Sequence, residues 1–229
     1  CIAKLWFCGD RALNYSLGTL GGVQSFALHP QERRCVPQWP MLVSRFRKLR
    51  TLLIFFDHTR LQDVVITWHL EQLPQTLTKL YISTAPKFME RPRFDLSSLF
   101  PCLENLHIGD PLHLSPDLIS TLPPTLAVFS TPNLLSVSVE FLQALPPHID
   151  FLHLEPFYSP STKLLDANGV ILPPNLRTIK GRYLKPNFDH LPPSLTCFEF
   201  ESTENLRLAD EGAIWAQMPR TLTRLTLPV

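Results

Sequence analysis

The chain has 229 residues, 45% hydrophobic and 18% charged, and its 21 basic and 20 acidic side chains leave a net charge of +1. That balance argues against a general phosphate-binding surface, because nucleic-acid binders carry a clear basic excess on one face. No apolar run approaches the ~18 residues of a membrane span, and the opening residues show no signal-peptide pattern. The cysteines (Cys1, Cys8, Cys35, Cys102 and Cys197) have neither paired nor zinc-ligand spacing, so the expectation is reduced thiols in an intracellular protein, cytoplasmic or nuclear.

Taken in order, the chain repeats one pattern. Its fullest form runs from Leu191 as LPPSLTCFEF. Looser copies start at Leu73 (LPQTLTKLYI), Leu122 (LPPTLAVFST), Leu145 (LPPHIDFLHL), Leu172 (LPPNLRTIKG) and Met218 (MPRTLTRLTL). Proline fixes φ and cannot continue a helix, so it ends what precedes it and feeds an extended segment. The alternation that follows has a period of two, the mark of a strand with one buried face. The penultimate apolar position of each copy serves as a ruler mark: Leu5, Phe26, Leu52, Leu80, Leu106, Phe129, Leu152, Ile179, Phe198 and Leu225. Intervals run from 19 residues (Ile179 to Phe198) to 28 (Leu52 to Leu80). The mark, the position three before it and the position two after it are apolar in every copy except at Thr131 and Gly181.

Between strands, apolar residues at helical spacing predict one or two helical turns over 65–73, 94–100, 116–122, 139–145 and 211–218. The basic run Arg45–Arg50 reads as the solvated side of a convex turn. Three longer connections, His29–Trp39, Thr84–Arg93 and Glu155–Ala167, are either tolerated insertions or edge loops for partner contact. Neither end shows the polar cap that a repeat array needs, so the expectation is a single repeat domain, 1–229, that is a fragment of a longer chain.

The period and the L-x-x-L-x-L heart resemble the leucine-rich repeat family. That resemblance implies an α/β fold: a leucine-rich-repeat solenoid, a curved horseshoe of about ten irregular repeats. A parallel β-sheet lines its concave face, and short helices, 3₁₀ turns and loops form the convex face. The family's usual asparagine or cysteine beyond each strand is mostly missing, with Ala85, Pro111, Phe157 and Leu184 in its place, so irregular turns are expected. LPPxLxxLxL rungs, with the opening LWFCGDRALNYSL and the GGV-led strand, look like the repeat region of eukaryotic F-box/leucine-rich-repeat proteins. That likeness implies the substrate-recognition part of an F-box-type ubiquitin ligase adaptor, reaching a ligase scaffold through an N-terminal segment not present here. Two alternatives stand beside it: the repeat domain of a bacterial-effector-type ubiquitin ligase, and an extracellular recognition protein.

On such a sheet the residues alternating with the buried leucines face the concave side. They predict a protein-binding strip made of Trp6, Leu53, Phe55, Tyr81, His107, Ser130, Phe151, His153, Lys180, Arg182, Glu199 and Glu201. Its centre is aromatic and histidine-rich, the composition interfaces favour. Lys180 and Arg182 fall beside Glu199 and Glu201, where cross-strand pairing is expected. A serine between two histidines, with Glu155 nearby, sketches a hydrolase. Yet no glycines or helix start suggest an oxyanion hole and no strained turn surrounds Ser130. The two histidines also belong about 10 Å apart along the ladder, too far for one metal ion. The reading is therefore non-catalytic protein recognition, with no cofactor or metal, no nucleic acid and no membrane.

Overall fold

The computed structural model describes residues 2–7, 22–30, 43–44, 46–55, 70–83, 95–109, 121–134, 142–156, 172–181, 191–200 and 218–226. The chain divides into two compact units, Cys1–Asp110 and Pro111–Val229. In the first, β1 (Ile2–Phe7), β2 (Ser25–Pro30), β3 (Thr51–Phe55), β4 (Lys79–Ser83) and β5 (Asn105–Ile108) pair in chain order, each parallel to the next. In the second, β6 (Val128–Leu134), β7 (Phe151–Pro156), β8 (Thr178–Gly181), β9 (Cys197–Phe200) and β10 (Arg224–Thr226) do the same. Sequential strands paired in chain order, each parallel to the next, are the architecture of an α/β repeat solenoid.

The period-two expectation holds at the side chains. Burial alternates along β3, β4, β5 and β8, and the marks Phe26, Leu52, Leu80, Leu106, Phe129, Leu152, Ile179 and Phe198 are all buried, none more than 2% exposed. Within each unit, from β2 to β5 and from β6 to β10, mark pairs with mark across neighbouring strands. The first rung departs from the ruler by two residues. Ala3, not Leu5, sits opposite Phe26, and Leu5 sits opposite Leu28. A two-residue shift preserves which face each side chain takes, so nothing in the hydrophobic pattern betrays it.

Proline does more than end a helix. It opens a reverse turn whose first carbonyl accepts the N–H three residues on: Leu77 from Pro74 (3.2 Å), Leu126 from Pro123 (3.0 Å), Ile149 from Pro146 (3.2 Å), Leu176 from Pro173 (3.1 Å), Leu195 from Pro192 (3.0 Å) and Leu222 from Pro219 (3.0 Å). Phenylalanine occupies the same place twice, where Phe46 O takes Leu49 N (2.9 Å) and Phe100 O takes Leu103 N (3.0 Å). Both rings are buried, and Phe46 stands 4.8 Å from Phe26, ring centre to ring centre. Arg47, Lys48 and Arg50 lie exposed around the first of these turns, so the basic run is the outer side of a turn as its pattern implied.

The rungs are stitched by backbone carbonyls. Arg50 and Thr51 both donate to Gln24 O, Thr78 and Lys79 to Arg50 O, and Glu104 and Asn105 to Thr78 O. In the second unit the series runs through Ala127, Asp150, Arg177 and Thr196, each accepting two successive N–H groups from the next rung. A second stitch comes from the third residue of the turn. Thr76 Oγ1 donates to Leu49 O (2.8 Å), Ser194 Oγ to Pro174 O (2.7 Å) and Leu176 O (2.8 Å), and Thr221 Oγ1 to Pro193 O (2.7 Å) and Leu195 O (2.8 Å).

Where the connections are described, single turns stand where one or two helical turns were expected. A 3₁₀ turn covers Leu70–Gln72, and α1 covers only Leu96–Leu99. Asp95 caps α1, accepting from Ser97 N (3.0 Å) and Ser98 N (3.3 Å). These bonds, led by the one from the Ser97 hydroxyl, hold its carboxyl below the ordinary 3.8. The helical expectation at 116–120 and 211–217, the turn positions Ala85, Pro111, Phe157 and Leu184, and most of the three long connections lie outside the described residues.

Candidate functional site

In each unit the sheet face opposite the core holds some of the residues expected in the strip. In the first unit Leu53, Tyr81 and His107 are aligned across β3, β4 and β5, all half-buried. Tyr81 and His107 stack with ring centres 3.9 Å apart and planes 2° from parallel, while Phe55 leans on Tyr81 at 5.5 Å and 40°. Flat stacking of this kind is worth about 0.5–1.5 kcal/mol beyond area burial. It also fixes three rings as one plate, with Lys79 exposed beside them. Trp6 lies on β1 opposite His29, one ladder away from its expected neighbour Ala27; its side chain lies outside the described residues.

In the second unit Ser130 and His153 sit opposite one another on β6 and β7 and share a hydrogen bond of 3.1 Å between Oγ and Nδ1. Ser130 is 6% exposed, so it is less a contact residue than the sequence suggested; its hydroxyl orients the imidazole. Phe151 is half-buried on β7. On β8 and β9 the expected cross-strand pair forms, Lys180 Nζ lying 2.6 Å from Glu199 Oε2. Sequence reasoning missed a second cation. Arg224 Nε on β10 lies 3.2 Å from Glu199 Oε1, although its place one residue before its mark puts it diagonal to Glu199. Arg182 and Glu201 lie outside the described residues.

Glu199 is thus the hub of this corner. The Lys180 hydrogen bond, more than any other influence, holds its carboxyl below the ordinary 4.5, against the opposing pull of burial. A depressed carboxyl contributes stability that is complete above its unfolded pKa and is lost as pH falls through the folded one. Cys197 Sγ lies 3.5 Å from Glu199 Oε1. Burial, and then the Glu199 hydrogen bond and charge, push its thiol up, which keeps it protonated as a donor and a poor nucleophile. Among the described residues no three His, Cys, Asp or Glu side chains are grouped as metal ligands.

No protein-family model matches the chain. No curated protein matches it significantly.

Proposed function

We infer that this chain is a non-catalytic recognition scaffold that binds a protein partner through the sheet faces of its two units. The finer reading is a leucine-rich-repeat segment serving as the substrate-recognition part of an intracellular F-box-type ubiquitin ligase adaptor, and its support is the likeness of the LPPxLxxLxL rungs. The observation that carries the recognition role is the plate of Phe55, Tyr81 and His107. Three rings from three strands are locked against one another on the side of the sheet away from the core, half-exposed. Aromatic anchors held rigid before binding lose little entropy on association, and such residues dominate interface energetics.

The test is affinity capture with the wild-type chain beside a Tyr81→Ala/Phe151→Ala variant whose circular dichroism and melting confirm an intact fold. The expected outcome is one or more partners retained by the wild type and lost, by tenfold or so, from the variant. Capture unchanged by the double substitution removes the sheet face from the reading.

A further inference from the structure

Tyr81 has a ring on either side of it. His107 on β5 stacks against it at 3.9 Å and 2° from parallel, and Phe55 on β3 leans on it at 5.5 Å and 40°. Since β4 lies between those strands, the two contacts occupy opposite faces of the phenol. An aromatic ring is negative over its faces and positive around its edge, and cations bind over a face. With both faces taken, Tyr81 turns toward a ligand its positive rim and a hydroxyl able to donate. The row beside it is polar. Thr51, Lys79 and Asn105 stand in register two residues before Leu53, Tyr81 and His107, with Lys79 exposed and the other two half-buried. Among the described residues of this face from β3 to β5 there is no carboxylate. Glu104 comes just before β5, out of phase with the face.

We propose that this face of the first unit binds an extended acidic segment of a protein partner, carrying Asp or Glu at alternate positions. The inference rests on the sheet-face reading above and adds to it the charge class of the partner. A strand repeats its same-side side chains about every 6.6 Å, the interval that also separates Lys79 from Tyr81 along β4. One carboxylate therefore meets the Lys79 ammonium, while the next accepts from the Tyr81 hydroxyl and lies against the ring edges. A basic segment meets neither an anion nor an open face of Tyr81, and Lys79 repels it. An apolar segment covers the ammonium and the hydroxyl without replacing the water they lose. Charge on the partner thus decides which segment the rigid plate accepts, and the rings supply contact area.

The probes are fluorescent peptides of about ten residues that alternate serine with glutamate, glutamine or lysine, titrated into the full chain at low salt; the charged ones stay extended by self-repulsion. The expected result is saturable binding of the glutamate peptide, weakened about two- to fivefold by Lys79→Gln and by Tyr81→Phe. Lys79→Glu should reverse the preference, so that the lysine peptide binds and the glutamate peptide does not. A misfolded protein cannot acquire that binding. Equal affinity for the glutamate and lysine peptides, or glutamate binding indifferent to Lys79→Glu, overturns the proposal. Tighter binding of an oligothymidine than of the glutamate peptide overturns the choice of partner in favour of nucleic acid. If no peptide binds while affinity capture still falls with Tyr81→Ala/Phe151→Ala, the acidic class is wrong and the sheet-face reading survives; failure of both removes the face altogether.

Discussion

Among the described residues, Thr131 is the one buried polar side chain whose chemistry contradicts its surroundings. It occupies a core slot of β6, is 0% exposed, and its hydroxyl has no hydrogen-bond partner. Burying a hydroxyl unpaired costs about 1–3 kcal/mol. Valine has nearly the same shape without the hydroxyl, so Thr131→Val is expected to raise stability by about 1 kcal/mol, read as a higher urea midpoint at unchanged m-value. A lower midpoint would show that the hydroxyl is satisfied in solution. The position was legible in advance as one of two breaks in the apolar ruler. The other, Gly181, is also buried, and the two flank Leu154 in register from either side. What periodicity could not convey was burial without a partner, because a threonine satisfied by a neighbour has the same letter.

At the scale of the rung, the proline turn was half visible in the sequence. The pattern L-P-x-x-L announced where strands begin, and the strands start there. The residue just before that leucine is an open position in the pattern, yet in several rungs it is the stitch. Its recurrence as Thr76, Thr125, Asn175, Ser194 and Thr221 was available as a signal, and a side chain that donates to backbone has no complementary letter elsewhere to reveal it. Each of Ser194 and Thr221 shares its single hydroxyl proton between two carbonyl oxygens at 2.7–2.8 Å. Ser194→Ala is expected to cost about 1–2 kcal/mol, since the lost bonds are short while the freed carbonyls lie near solvent and recover some hydration. Ser194→Thr should retain most of that stability in the same denaturant titration. If alanine and threonine behave alike, the hydroxyl is idle. The Arg224 contact with Glu199 escaped sequence reading for a related reason: the pairing is diagonal across strands, and a ruler that compares like positions sees only direct neighbours.

For the molecule as a whole, parallel order and a continuous apolar layer within each unit were readable from the period alone. So was the brevity of the described connections: four-residue spacing of apolar side chains predicted one or two turns over 94–100, and α1 is a single turn, Leu96–Leu99. Every residue of β10 is exposed or half-buried, whereas Phe198 of β9 is 1% exposed, and protection against exchange follows burial. Native-state hydrogen exchange should therefore be faster in β10, at Arg224–Thr226, than in β9, at Cys197–Phe200. Equal protection of the two strands would mean that β10 is covered in solution.

The stitches between rungs end on peptide oxygens, which every residue possesses. For these stitches a rung has to match only the backbone spacing of the one beneath it, not its particular side chains. A gene that duplicates or drops one unit therefore leaves the flanking seams compatible. Arrays built this way can lengthen or shorten across generations while the residues on their sheet faces diversify.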